Sequence, residues 1–421
     1  MKRIQEKNRG LVTVLSFALI PLTGFATDVY LPSLPAMAAD LHVSSAVIQS
    51  TLLVFLVSGG ISQLFVGSLL DSFGRYRLSS VALVVFTLAS FVIAMTHNIY
   101  ILYLMRAVHG ISVAFIVVAK RAYFLDSFTG DKLHHYTSLF SIIWAVAPIV
   151  APFIGGYLQQ AFGWQANFYF LGSFTLLILI MDLIFGGESL KEFQRFEAKP
   201  ILKVYSSMIR TTDFTIGLVL LALSYSMLMV FGMTSPFIIE HVYHYSPVVT
   251  GYGALLSGAA LMLGGMISKS ILHKPLDRKI PTAIGIQLIL AIGMILVSNF
   301  YASNIYTLLF FVMLLHMTAG FIFNNIFSYC LGRFSRNAGI VSGLTGGGLF
   351  VITSFFSYGI VNTFAIRNQS LLAGAYLTFV LLNGLAFALF QRYRAQAQAR
   401  TQSQPQPQTK PQPSAFAGSL D

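Results

Sequence analysis

Long apolar runs alternate with short polar segments along almost the whole chain. Twelve of these runs approach or exceed the roughly 20 residues that a helix needs to cross the hydrocarbon core of a bilayer. Because lipid offers no partners for backbone polar groups, we expect each run to be a transmembrane helix. The pattern therefore predicts an all-α polytopic membrane protein. Its predicted spans are residues 11–37, 44–70, 77–96, 99–121, 136–161, 166–186, 213–239, 247–271, 281–299, 304–331, 338–363 and 369–390.

The longest polar segment between spans separates the first six from the last six. This segment, residues 187–212, is rich in charged side chains, and we expect it to carry a short interfacial helix. The chain then divides into an N-terminal six-helix bundle (1–186), this linker, a C-terminal six-helix bundle (213–390) and a tail (391–421). Gln, Pro and Ser dominate the tail, and such a composition buries too little apolar surface to fold, so we predict disorder there.

The charged residues set the orientation of the spans. The chain of 421 residues is 56% hydrophobic and carries a formal net charge of +12, which by itself would suggest nucleic-acid binding. With the N-terminus placed inside, however, Arg367 lies in an outside loop and Arg106 inside a span, while the other 24 of the 26 Lys and Arg residues fall in inside segments. This positive-inside asymmetry predicts two cytoplasmic termini and no nucleic-acid partner. The first apolar run lacks a cleavage site, so we interpret it as the first span.

The loop between the second and third spans has the pattern G-x-x-x-D-x-x-G-R-x-R. It consists of Gly67, Asp71, Gly74, Arg75 and Arg77 in that spacing. We expect Gly67 to allow close passage of another helix and Gly74 to make a sharp turn. Asp71 is positioned to pair with Arg75 or to lie at a neighbouring helix N-terminus. The loop is a candidate cytoplasmic gate.

Asp126, at the inner end of the fourth span, is a candidate partner for Arg75. Together with Asp71 these residues would form a charge cluster at the inner helix ends. We expect that cluster to hold the cytoplasmic side shut in the outward-open state.

Two charges lie deep within the first six spans. Asp28 is roughly 13 Å below the outer end of the first span and Arg106 roughly 11 Å below the outer end of the fourth, at about 1.5 Å per helical residue. An ionisable group at that depth is costly unless it faces a cavity or a partner. The similar depth predicts a direct or water-bridged pair. We predict that Asp28 carries a coupling proton.

Two further patterns support a transport function. The fourth span continues from Arg106 to His109-Gly110, similar to the R-x-x-Q-G motif of drug:proton antiporters but with His109 in place of the glutamine. The fifth span resembles their G-P-x-x-G-G element, with alanine for the first glycine. Its helix-breaking and small residues are Pro148, Pro152, Gly155 and Gly156.

Together with the loop at 67–77, these motifs identify the chain as similar to the major facilitator superfamily, and most of all to drug:proton antiporters of the Bcr/CflA type. The resemblance covers about residues 10–390, and its specific motifs lie in the first half. It implies two six-helix bundles around a central cavity with alternating access. It also implies proton-driven export of small organic molecules, including multidrug efflux, by a multi-pass protein of the bacterial inner membrane.

Several aromatic, soft or titratable side chains are candidates for a substrate cavity. Each has an alternative role in helix packing, and for His316 a hydrogen-bonded helix contact is the favoured interpretation. Asp182 and Glu240, near span ends, are expected at the membrane interface. The cavity candidates are Tyr30, His109, Tyr123, Trp144, Tyr225, Met229 and His316.

The motifs leave more than one function open. A dedicated transporter of one metabolite, such as a sugar, nucleoside or siderophore, fits them as well as a multidrug exporter does. A membrane enzyme or sensor is least favoured, because the outside loops are too short to hold a catalytic domain. No P-loop and no metal-ligand spacing occur in the sequence, so we expect no cofactor and no metal. The expected partners are a small-molecule substrate, protons and lipid, and we expect a monomer.

Overall fold

The computed structural model describes residues 2–271, 273–334 and 338–402. Within these ranges the side chains of 141, 142, 144, 145, 198, 338, 339 and 396–402 lie outside the description. The described secondary structure is helical, with one isolated parallel bridge between Arg3 and Glu188. This agrees with the all-α prediction.

The first predicted span is not one helix. It is divided into α1 (Arg9–Leu19), α2 (Leu22–Asp28) and α3 (Leu34–Asp40), with a 3₁₀ turn at Leu31–Ser33. The chain has Pro21, Pro32 and Pro35 at these breaks, and each proline removes one backbone hydrogen-bond donor. As a consequence, Asp28 lies at the C-terminal end of a helical segment rather than in mid-helix.

The remaining elements follow the predicted order, with a short helix in the linker. The helices are α4 (Ser45–Phe73), α5 (Arg75–Met95), α6 (Ile99–Ser127), α7 (Gly130–Phe162), α8 (Gln165–Phe185), α9 (Ala198–Ile209), α10 (Thr212–Phe237), α11 (Pro247–Ser270), α12 (Leu276–Phe300), α13 (Ile305–Gly332), α14 (Ala338–Phe364) and α15 (Gln369–Gln402).

Eleven helical segments in the described part of the chain are long and apolar enough to cross a bilayer. The predicted span that is not among them corresponds to α7, whose 33 residues include four side chains outside the description. α15 continues through Gln402, so residues 391–402 are helical where we predicted a disordered tail. The rest of that tail, 403–421, lies outside the described residues.

The packing of the helices repeats along the chain. α4 packs on α6, α6 on α5, and α5 on α8; α11 packs on α13, α13 on α12, and α12 on α15 in the same way. The contact of α2 with α7 corresponds likewise to that of α10 with α14. Between the two sets, the main contacts are α4 with α14 and α7 with α11. We refer below to α1–α8 as the first half and to α10–α15 as the second half.

Glycines permit the close contact of α4 with α14. A Cβ added at Gly60 would lie 2.7 Å from the carbonyl oxygen of Gly347, and one at Gly347 would overlap the carbonyl oxygen of Gly60. Gly346, one residue earlier, lies against the Gln63 side chain. The two helices therefore cross with their backbones in close contact at Gly60 and Gly347.

The two ends of the bundle differ in their charge. We call the end that carries Arg75, Lys132 and Lys274 the basic end, and the end that carries Asp40 and Arg367 the opposite end. At the basic end, residues from both ends of the first half meet. The Lys2 ammonium donates to the carbonyl oxygens of Leu183 and Ile184 at 2.7 Å each. The backbone NH of Glu188 donates to the Lys2 carbonyl oxygen at 2.8 Å.

A buried ion pair connects α6 with α8 in the first half. The Lys120 ammonium lies 2.8 Å from both carboxylate oxygens of Asp182. The two side chains are only 7% and 1% exposed, respectively. Asp182, which we predicted at the membrane interface, has its carboxylate buried inside the protein, where Lys120 is its partner.

We predict that Gly347→Ala destabilises the protein, because the added methyl group has no space at the α4–α14 crossing. Overpacking of this kind costs about 1–3 kcal/mol. Gly359→Ala, on the same helix, is the matched control: nothing lies within 4 Å of the added Cβ, and alanine favours helix over glycine by up to about 1 kcal/mol. The melting temperatures of the two variants are measured by thermal unfolding. A thiol-reactive dye that labels the buried Cys330 only when it becomes exposed reports the transition. Equal melting temperatures for the two variants would contradict the crossing as described.

We predict that Lys120→Met and Asp182→Leu are each strongly destabilising, because each leaves a buried charge without its partner. The expected cost is about 3–5 kcal/mol for either single change. The double variant should be more stable than either single variant, since it buries no charge. A double-mutant cycle on melting temperature tests this, and losses that simply add would contradict it.

Candidate functional site

The Arg106 guanidinium is fully buried and lies between two aromatic rings. Its central carbon is 4.5 Å from the centre of the Tyr30 ring and 4.4 Å from that of Phe55. Cation–π contacts of this kind favour a desolvated arginine by about 2 kcal/mol or more. Its Nη1 donates to the Ala26 carbonyl oxygen at 2.9 Å. Nε and Nη2 are buried without a hydrogen-bond partner, so the arginine retains donors that an anion can use.

Asp28 lies two residues after Ala26 and is 3% exposed. Its carboxyl is within electrostatic range of the Arg106 guanidinium. No ion pair of 4.0 Å or less joins the two in the described part of the chain. We predicted either a direct or a water-bridged pair of Asp28 and Arg106. The direct pair is not formed in this conformation. The guanidinium contacts the Tyr30 and Phe55 rings and the Ala26 carbonyl oxygen instead.

The second half contributes α10 to the surroundings of Asp28. Tyr225 on α10 is buried and within electrostatic range of the carboxyl, and its ring lies 5.7 Å from that of Phe323. Further along α10, Gly232 allows the Leu31 side chain to approach, since an added Cβ would be 2.9 Å from it. Asp28 therefore lies where the broken first span meets the second half.

The sequence analysis missed a polar contact between the halves near this site. The Gln49 side-chain amide, on α4, donates to the Met233 carbonyl oxygen of α10 at 2.7 Å, and Gln49 is buried. The available signal was a glutamine within a predicted transmembrane span. Its partner is a backbone group, however, and backbone partners cannot be identified from residue types.

The predicted charge cluster is present at the basic end. The Arg75 Nη2 lies 2.7 Å from Asp71, and its Nη1 donates to Asp126 and to the Ala122 carbonyl oxygen. Gly74 makes the predicted turn, with a φ of 96° that favours glycine. Other members of the loop differ from expectation.

Gly67 does not have the predicted role in this conformation. A Cβ added there would meet nothing within 4 Å, so no neighbouring helix approaches closely. Arg77 is exposed at the surface of the basic end. The two residues therefore do not contribute to the charge cluster.

The linker completes the cluster through a carboxylate that the sequence analysis did not single out. Glu188 accepts hydrogen bonds from the backbone NH groups of Arg75, Tyr76, Ser189 and Leu190 at 3.0–3.2 Å. The first two belong to the N-terminal turn of α5, where a negative charge is favourable. Ser189 also donates to Asp126 at 2.7 Å. The hydrogen bonds and ion pairs of the cluster thus join α4, α5, α6 and the linker, and within the described residues none of them reaches the second half.

The proline–glycine element lies on α7 at the contact with α11. Pro148 and Pro152 are inside the helix. A Cβ at Gly155 would overlap the Val29 carbonyl oxygen, one residue after Asp28, and a Cβ at Gly156 would lie 2.6 Å from the Pro247 carbonyl oxygen of α11. The element therefore brings the backbone of α7 against both the broken first span and the second half.

Four of the candidate cavity residues make hydrogen bonds within their own half, and Tyr30 is one of them, bonding Thr51 at 3.1 Å. His109 bonds Ser90 at 3.0 Å and stacks on Phe86. Tyr123 bonds Thr13 at 3.0 Å. These contacts favour a packing role for His109 and Tyr123.

His316 likewise lies between two hydroxyl groups of the second half. It bonds Ser257 at 2.7 Å and Tyr376 at 3.0 Å, and it is fully buried. This matches the favoured interpretation of His316 as a helix contact. Tyr30 and Tyr225 remain cavity candidates near Asp28, and Met229 is buried on the same helix as Tyr225. The Trp144 side chain lies outside the described residues.

Comparisons with known proteins agree with this arrangement. Residues 16–358 match the family model described as Major Facilitator Superfamily. The Multidrug resistance protein MdtL of Vibrio parahaemolyticus is 27% identical over 345 residues, which cover 79% of this chain and 83% of that protein. The bicyclomycin resistance protein homolog of Haemophilus influenzae is 32% identical over 191 residues, which cover 45% of this chain and 48% of that protein.

The fold is also found among solved structures. A bacterial homolog of the human lysosomal transporter Spinster, in an inward-facing and unoccupied conformation, aligns with a TM-score of 0.68 at 15% identity. The alignment covers 96% of this chain and 100% of that one. The family indicates a transporter rather than an enzyme, and the apolar helices fit a multi-pass membrane protein. The names of the relatives are consistent with the resemblance to Bcr/CflA-type antiporters, and the chain belongs to the Major Facilitator Superfamily.

Proposed function

We propose that this protein is a proton-coupled secondary transporter that exports small organic compounds by alternating access. In this proposal twelve spans form two six-helix bundles, the basic end faces the cytoplasm with both termini, and the protein acts as a monomer in the bacterial inner membrane. The observation that carries it is Asp28. This buried carboxyl has no ion pair within 4.0 Å in the described part of the chain, and it lies at the junction of the two halves beside an arginine with free donors.

Protonation of Asp28 would change the balance of charge at the junction. When the carboxyl is ionised, Arg106 is its nearest opposite charge, and attraction between them favours a close pair. When it is protonated, the attraction is lost and the guanidinium keeps only its ring and carbonyl contacts. Because α10 packs beside the same carboxyl, the two protonation states favour different positions of the second half relative to the first.

The same junction suggests the class of substrate. The buried rings of Tyr30 and Phe55 lie on Arg106, the Tyr225 ring lies within electrostatic range of Asp28, and Met229 is buried on the same helix as Tyr225. Such aromatic and polarizable side chains suit amphipathic compounds that are neutral or cationic. The names of the relatives, which include multidrug and bicyclomycin resistance proteins, point the same way.

A dedicated transporter of one metabolite is the second candidate. The D-xylose-proton symporter has the same fold at a TM-score of 0.64, with 14% identity, so the fold does not separate the two. A substrate screen in proteoliposomes separates the two functions. Transport of several unrelated compounds would favour the multidrug function, and transport of a single compound would favour the dedicated transporter.

We predict that Asp28→Asn abolishes transport driven by a pH gradient while the protein remains folded. The asparagine occupies nearly the same volume but cannot release a proton. The measurement is substrate accumulation in proteoliposomes with an imposed pH gradient. Asp131→Asn, at an exposed acid in the first turn of α7, is the control and should transport normally. Accumulation by Asp28→Asn against a substrate gradient would exclude Asp28 as the coupling site.

We predict that Arg106→Lys also loses most transport, although it keeps the charge. Lysine has no planar group to stack between Tyr30 and Phe55, and its strongly hydrated ammonium is poorly suited to that site. The expected loss is at least about tenfold, the equivalent of one lost cation–π contact. Arg367→Lys, at an exposed residue of the opposite end, should have no effect. Normal transport by Arg106→Lys would show that charge alone is sufficient.

A further inference from the structure

The linker helix α9 has one face against the protein. Tyr205 and Met208 are buried, and Ile201 and Val204 pack on the core beside them. These residues recur at the three- and four-residue spacing of one helix face. α9 contacts α10 and α14 of the second half.

Tyr205 extends this contact to the first half. Its hydroxyl donates to the Leu64 carbonyl oxygen of α4 at 2.7 Å. The same hydroxyl would lie 3.3 Å from a Cβ at Gly343 of α14. α9 therefore reaches the α4–α14 crossing at its basic end, where the two halves meet.

The outward face of α9 is basic. Lys199 and Lys203 are exposed, and Arg210 follows the last helical residue. The helix contains no acidic residue, and no ion pair in the described part of the chain involves these three side chains. Beside this face, Leu202 and Ile209 are 50% and 52% exposed.

This combination matches helices that lie on a membrane surface. Such helices place apolar residues at the acyl boundary and basic residues at the level of the headgroups. Each Lys or Arg near an anionic leaflet strengthens binding by about fivefold. α9 connects two membrane-spanning helices, α8 and α10, so it is held at the bilayer surface by the chain itself.

We propose that α9 is a docking surface for anionic phospholipid headgroups, bound by Lys199, Lys203 and Arg210, and that this docking holds Tyr205 in the α4–α14 crossing. The charge complementarity and the two exposed apolar residues favour lipid over a soluble partner. Burial raises the pKa of the Tyr205 phenol to about 12, so the group remains a hydrogen-bond donor at physiological pH. The role of the crossing in transport rests on the proposed function, but the lipid site does not.

Lipid contact is tested with a reporter on α9. Cys330 is the only cysteine of the chain, so Cys330→Ser with Ser206→Cys places a single fluorophore on the exposed face. The labelled full-length protein is placed in nanodiscs that contain brominated phosphatidylglycerol or brominated phosphatidylcholine at equal mole fraction. We expect stronger quenching by the brominated phosphatidylglycerol. Equal quenching by the two lipids would overturn the proposal.

The charges are tested by neutralising them together. Lys199→Gln, Lys203→Gln and Arg210→Gln in one variant should remove the preference for phosphatidylglycerol. The matched control changes three other exposed lysines of the basic end, Lys132, Lys269 and Lys274, to Gln and should keep it. A preference lost equally in both variants would mean a general effect of net charge and would overturn the proposal. An unchanged preference for phosphatidylglycerol in the variant that lacks the three α9 charges would also overturn the proposal.

The coupling to Tyr205 is tested by transport in vesicles with and without phosphatidylglycerol. The unaltered protein should be faster with the anionic lipid, whereas Tyr205→Phe should keep the quenching preference but lose the acceleration. An unchanged acceleration in Tyr205→Phe would overturn the coupling. If the proposed function fails, neither lipid composition supports proton-driven transport, while the quenching result still stands.

Discussion

The free-energy cost of a charge buried among apolar helices constrains the first half more than any other interaction. Lys120 and Asp182 meet this cost by pairing with each other, and Arg106 meets it in part through two rings and a carbonyl oxygen. Asp28 is the least compensated of these charges, because no ion pair of 4.0 Å or less includes it in the described part of the chain. Since an isolated carboxylate in such surroundings is unfavourable, a site that alternates between two protonation states is chemically reasonable there.

The second constraint is the distance between backbones at the junction of the halves. Gly60 and Gly347 bring α4 against α14, and Gly156 brings α7 against α11. At these points backbone lies against backbone, so fewer side chains interlock there than at a crossing of larger residues. The packing that unites the halves is therefore also compatible with their motion, whereas the buried ion pair and the cluster around Arg75 join helices within the first half.

Much of the site could be predicted from local patterns, and the remainder depended on distant partners. The turn at Gly74 and the pairing of Arg75 with Asp71 involve residues within one loop, whose spacing is visible in the sequence. Glu188 bonds the backbone of Arg75 across 113 residues, and Gln49 bonds Met233 across 184. Such partners are set by tertiary packing, and nothing in the residue types alone selects one backbone group among many. The break of the first span was readable from its prolines, but the apolar run around them dominated the prediction.

The meeting of Lys2 with the segment after α8 has a consequence for biosynthesis. The backbone of Glu188 bonds to Lys2, and its carboxylate bonds to the first turn of α5, so these contacts need both ends of the first half. A ribosome that has not yet synthesised the linker cannot provide them. Completion of the first half must therefore wait until α8 and the segment after it have left the ribosome, and its two ends can be joined before the second half is synthesised. The first half can then serve as a finished surface on which the later helices assemble.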